Sequence, residues 1–236
     1  MILSPKFPLF AAGTLGALAL SCVSPAHADT RDFPFTYEWR QGPKGDREFE
    51  VKSTYNGVEN SFKQEVEIEY SVSNRLLVAP YVILEKEGDE GYKYRGFKLE
   101  SRYQLGKFKR DKFLPGLYLE FERERGAGSE LEGKLIFSRY GSDGSNLSFN
   151  AIASRALENG SEFGTGYSLG YARDLGRSGL RGGLELIHDL SEHRINAGPV
   201  LSKRFGAFSV VGGYAARLNS RNRNADQVRV NVEYEF

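Results

Sequence analysis

Glutamate is the residue that recurs at chemically suggestive spacing in this chain. Glu48 and Glu50, then Glu65, Glu67 and Glu69, then Glu120, Glu122 and Glu124, then Glu130 and Glu132 follow one another at intervals of two. Lys52, Lys63 and Lys134 fall in the same rows, and Arg194 and Arg229 extend the set. Residues two apart in an extended chain share one face. Such a face supports two readings. It can line a charged interior that selects solutes, as rings of charged side chains do in pores. It can equally carry Glu–Lys and Glu–Arg pairs that fill and brace a narrow interior. The spacing leaves both open.

Other reactive types are sparse. The three histidines are His27, then His188 and His193 in "HDLSEH". A hydrolase would need His188 oriented by an acid and placed beside a nucleophile. Asp189, its sequence neighbour, points the opposite way on a strand, and no serine motif surrounds the pair. Two histidines five apart across a turn, with no cysteine or third histidine, fall short of the usual metal-ligand set. "GTGYSLG" at Gly164 to Gly170 places its glycines on one strand face with no helix to cradle a phosphate. "NLS" at Asn146 matches a glycosylation acceptor by pattern alone. We therefore expect no catalytic residue, metal or cofactor.

The glutamate rows must be positioned by strands. Phe62, Val66, Ile68, Tyr70 and Val72 alternate with Lys63, Glu65, Glu67 and Glu69, the period-two pattern of a strand with one apolar and one polar face. Similar runs begin near Asp46, Arg75, Tyr92, Gly116 and Glu130. Further runs are centred on Ala151, Tyr167, Leu184, Ala197 and Val210. The chain closes on "VRVNVEYEF", with Val228, Val230, Val232, Tyr234 and Phe236 on one face. In the fourth run Tyr92 and Tyr94 differ in parity from Phe97 and Leu99, so a bulge near Arg95-Gly96-Phe97 is expected. Twelve runs give about 17 residues for each strand and its connection, which suits membrane-crossing strands of about 9–11 residues. Soluble sandwich strands are nearer five or six. A soluble periplasmic β-protein is the alternative at this level.

Composition agrees. The 236-residue chain holds 13 Tyr, 16 Phe and 27 Gly, a balance that favours strands and tight turns. Lys6 followed by an apolar stretch to about Leu20, with "AHA" at Ala26 to Ala28, reads as a secretory signal peptide over residues 1–28. The remaining chain lacks cysteine, since Cys22 lies in the signal, and has 31 basic against 31 acidic residues. No basic excess points to nucleic acid. Residues 29–44, rich in proline and charge, read as an irregular periplasmic segment leading into the barrel, which takes up residues 45–236. An even strand count puts both ends of the barrel chain at the periplasmic side.

"FTYEWRQGPKGDREFEV" (Phe35 to Val51) and "EIEYSVSNRLLVAPYVIL" (Glu67 to Leu84) carry a family resemblance. Their Tyr-rich, Pro-Lys-Gly lead into a Glu-rich strand, and the Ser-x-Asn-Arg-Leu turn, resemble poorly characterised bacterial outer-membrane barrels. Those are similar to transporters named by analogy with the meta-pathway phenol-degradation protein. The resemblance implies location and fold and brings no catalytic residue or substrate. The expectation is an all-β protein, a single antiparallel up-and-down transmembrane β-barrel of about twelve strands in the cell outer membrane. Its partners would be outer-membrane lipid, small solutes and the barrel-assembly machinery, the last reading a signal at Tyr234 and Phe236. A passive, porin-like channel with a charged lumen is the leading function. A plugged, salt-bridged structural barrel and an outer-membrane hydrolase are the alternatives.

Overall fold

The computed structural model describes residues 31–236 apart from 58–59, 89, 159 and 220–225. The signal-peptide reading of residues 1–28 lies outside the described residues. Twelve strands follow in order: β1 (Arg47–Asn56), β2 (Ser61–Ser71), β3 (Leu76–Glu87), β4 (Lys93–Gln104), β5 (Phe113–Glu124) and β6 (Gly128–Tyr140). Then come β7 (Asn146–Ala156), β8 (Phe163–Asp174), β9 (Leu180–Asp189), β10 (Arg194–Phe205), β11 (Phe208–Arg217) and β12 (Gln227–Glu235). Each pairs antiparallel with its sequence neighbours, and β1 pairs with β12 to close the barrel. Closure leaves no strand edge unpaired.

Alternation sets the two faces. Phe49, Ile68, Val82, Leu99, Leu119, Leu135, Leu169, Leu184, Leu201 and Val230 point outward and are exposed, Leu119 by 55% and Leu184 by 65%. Glu50, Glu67, Glu100, Ser138, Asn150 and Asn231 point inward and are 0–1% exposed. An apolar exterior around a polar interior inverts the soluble pattern and suits a lipid surrounding.

The bulge falls where the sequence places it. Ile83 pairs with Gly96 and Leu84 with Tyr94, leaving Arg95 as the extra residue. A Cβ on Gly96 would lie 2.2 Å from the Arg123 carbonyl oxygen, so only glycine fits there. Boundaries differ from the sequence reading by a few residues, most clearly in β5. Strand β5 starts at Phe113 rather than Gly116, because Pro115 sits within a strand that its missing N–H argues against.

The segment before β1 has a place the sequence reading did not give it. Residues 31–44 are irregular, as expected, but they pack against the inward faces of the strands and do not simply lead into β1. Arg31, Asp32, Phe33, Thr36, Glu38 and Trp39 are buried, and their partners lie on the inward faces of the strands. The buried aromatic and polar groups find no matching environment outside the wall.

Candidate functional site

Strands β1, β2, β4, β5 and β6 build one charged wall. Lys52 lies 2.7 Å from Glu67 and 3.4 Å from Glu50, and its Nζ donates to the Tyr81 hydroxyl at 2.9 Å. Lys98 reaches Glu65 at 3.0 Å, Glu120 at 3.2 Å and Glu122 at 2.7 Å. Arg102 pairs with Glu69, and with Glu100 at 3.0 Å. Toward the end away from the C-terminus, Lys63 meets Glu124 at 3.0 Å and Glu122 at 3.6 Å. Lys134 meets Glu132 at 2.8 Å, and its ammonium lies over the rings of Tyr37 and Tyr118. Removing one partner from such a buried pair is expensive, because the other charge stays desolvated.

Two sequence candidates sit elsewhere. Arg194 lies at the rim, where it donates to Asp189 at 2.7 Å and remains half exposed. Arg229 reaches inward: Nε donates to the Thr54 hydroxyl at 2.8 Å, and the guanidinium lies over the Phe35 ring, 4.6 Å from its centre. Glu48 is half-buried, and one carboxylate oxygen of each of Glu48, Glu50 and Glu69 falls within 4.8 Å of the others. Arg31 supplies positive charge there, 3.3 Å from Glu50 and 2.7 Å from Glu69.

Residues 31–44 form a loop pushed into the bore from the end that carries the C-terminus. Its base is tied by the Asp32 N–H, which donates to Glu38 at 2.6 Å. Asp32 also accepts from Arg181 at 2.5 Å and 2.9 Å, from Asn146 at 2.8 Å and from Ser202 at 3.0 Å. The side-chain amide of Asn150 grips the Tyr37 backbone twice, accepting from its N–H at 2.7 Å and donating to its C=O at 2.9 Å. The Trp39 N–H donates to Ser138 at 2.9 Å, and Gln104 donates to the Trp39 carbonyl at 3.0 Å.

Apolar packing completes the fit. Trp39 joins Leu114, Tyr118, Ile136 and Tyr140 in one cluster, and Phe33 joins Ala172 and Val200 in another. Burying the Phe33 ring contributes about 2–3 kcal/mol. The opposite wall is hollowed for it: a Cβ on Gly170 would stand 2.6 Å from the Phe33 ring, and one on Gly213 would stand 2.7 Å from Pro34. Beyond the loop tip a cavity of about 180 Å³ remains, bounded by Phe35 and Tyr37 and by both members of several ion pairs, among them Lys98 with Glu65 and Lys134 with Glu132.

Sequence reasoning missed this loop and the β4 charges Lys98, Glu100 and Arg102. The signals were present. Phe33, Phe35, Tyr37 and Trp39 alternate without a strand partner in the sequence, and Lys98, Glu100 and Arg102 alternate with Phe97, Leu99 and Tyr103. His188 points outward, its Nδ1 3.1 Å from the Tyr167 hydroxyl. Asp189 instead accepts from Arg194 and from the Glu192 N–H at 2.9 Å. The structure does not bring the two together as an acid–base pair.

No protein-family model matches the chain, and no curated protein sequence matches it. Solved structures do. The KdgM porin, determined in complex with disordered oligogalacturonate, superimposes with a TM-score of 0.59 at 12% identity, covering 81% of this chain and 99% of that one. The COG4313 outer membrane channel from Pseudomonas putida F1 gives 0.58 at 12% identity, covering 84% and 98%. The Acinetobacter baumannii outer membrane protein Omp33 gives 0.52 at 10% identity, covering 83% and 100%. The fold is the closed antiparallel barrel that these outer-membrane proteins share. Identities this low show the fold alone.

Proposed function

We propose that this protein is an outer-membrane channel for small polar solutes, with a charged lumen that residues 31–44 keep closed until they are displaced. The observation that carries this reading is the kind of contact between loop and wall. Asp32, Tyr37 and Trp39 are held mainly by hydrogen bonds and ion pairs to inward-facing side chains, which water can replace when the loop leaves. Withdrawal would leave a polar-walled bore inside an apolar exterior. The likeness to the KdgM, COG4313 and Omp33 barrels supports the same reading. In it, outer-membrane lipid covers the apolar belt, and the assembly machinery recognises the last strand through Tyr234 and Phe236.

The paired charges favour a second reading, a permanently plugged barrel with a structural or interaction role. Planar-bilayer recording separates the two. The wild-type protein is expected to show rare or small openings, and a variant lacking residues 31–44 to show stable conductance of larger size. Silence from both proteins would sink the channel and leave the structural barrel.

A further inference from the structure

Almost every cation inside the barrel has a carboxylate partner, but a cleft at one mouth breaks that rule. It measures about 640 Å³ and lies between the root of the inserted loop (Trp39 to Pro43), the β2–β3 connection at Asn74 and Arg75, and the β4–β5 connection at Gly106 to Phe108. Three cations line it, Arg40, Arg75 and Lys107, and no lining residue is acidic. None of the three has a carboxylate partner among the described residues. Asp111, an acid of the β4–β5 connection, is engaged by Arg139 at 3.0 Å. Asp46 lies behind Gly42, outside the cleft lining.

Two residues of the lining also carry buried donors. The indole N–H of Trp39, a residue only 6% exposed, has no acceptor among the described residues, and neither does the buried Nε2 of Gln41. An orphaned buried donor carries a desolvation cost, which a ligand acceptor recovers once the lining shifts to expose it. Arg40 is preset: its guanidinium lies over the rings of Tyr140 and Phe108, 4.5 Å and 5.3 Å from their centres. A stacked guanidinium keeps its planar fork of donors available for a carboxylate or phosphate. Trp39 and Phe108 add flat apolar surface beside the charges.

We propose that this cleft binds an oxyanion-bearing ligand, a molecule with carboxylate or phosphate groups, held by Arg40, Arg75 and Lys107 against Trp39. The inference stands whether or not the barrel conducts, because the cleft opens at the mouth and not within the bore. The carboxylate or phosphate can belong to a soluble anion or to an anionic lipid headgroup at the membrane edge.

Trp39 is the single tryptophan of the chain, so its emission reports on the site directly. The full-length folded protein in detergent is titrated with citrate, with inorganic phosphate and with neutral glucose. In parallel it is placed in phosphatidylcholine vesicles with and without phosphatidylglycerol. A saturable emission change with citrate or phosphate, absent with glucose and weakened by salt, supports a soluble ligand. A change confined to phosphatidylglycerol vesicles supports a headgroup. In either case Arg40→Gln with Arg75→Gln weakens binding about tenfold or more, whereas Lys109→Gln, outside the cleft, leaves it unchanged. Should Arg40→Gln disturb the rings beneath it, Arg75→Gln with Lys107→Gln carries the comparison, with circular dichroism checking the fold. No saturable response to any of the anions, or a response indifferent to these substitutions, overturns the proposal.

Discussion

At the scale of single residues, the interior is a fitted surface rather than a neutral bore. Gly170 and Gly213 are absences of side chain that make room for Phe33 and Pro34, while Asn150 is a side chain shaped to pair with a peptide unit. Adding bulk to one of these seats therefore tests the loop without touching its own sequence. Gly170→Leu places a branched side chain where the Phe33 ring sits, and overpacking of this kind costs about 1–3 kcal/mol. The loop is expected to undock while the barrel stays closed. Limited proteolysis of the folded protein should then cut within residues 31–44 several times faster than in the wild type. Equal cleavage rates would show that the seat is not needed to hold the loop.

Strands divide the work between their two faces, and the division is testable one side chain at a time. Leu119 lies near the middle of β5 on the outward face, flanked by the inward Tyr118 and Glu120, which hydrogen-bond to each other at 2.6 Å. An arginine facing lipid near the midplane costs about 2–4 kcal/mol. Leu119→Arg should lower the unfolding free energy in lipid vesicles by about that amount, measured by urea titration. Unchanged stability would place this belt in water instead of lipid. The bulge at Arg95 makes a related point at the same scale. It lets β4 switch phase, so that Tyr94 and Leu99 both face outward and Lys98, Glu100 and Arg102 both brace and charge the interior.

For the molecule as a whole, the seam between β1 and β12 closes the wall. The register from Glu48–Glu235 to Asn56–Gln227 joins the last strand to the first, and the Phe236 N–H donates to the Arg47 carbonyl at 3.1 Å. The Phe236 ring is 59% exposed, so its packing contributes little. Phe236→Ala should change the stability of the refolded barrel by no more than about 0.5 kcal/mol. On the proposed reading of Tyr234 and Phe236 as an assembly signal, its yield in outer membranes should nevertheless fall several-fold. Heat-modified mobility of the membrane fraction measures that yield. An undiminished yield would remove Phe236 from the signal.

Much of this was readable in advance. Period-two alternation reports which face of a strand is apolar, so the strands, their number and the bulge near Gly96 followed from residue order. The sequence reading began β5 at Gly116, three residues after its start at Phe113. The glutamate rows announced a charged face without saying what would meet it. Pairing depends on register across strands: Lys98 reaches Glu65 on β2 and Glu120 on β5 only once the barrel curves. The inserted loop was hidden for the same reason, since partners such as Ser202 lie 170 residues away. Residue order by itself therefore determined the strands and the sidedness of each, because both are local consequences of backbone geometry. Closure alone decided that the segment before β1 fills the bore and that a donor-rich cleft opens at its root, because those contacts exist only between parts of the chain that folding brings together.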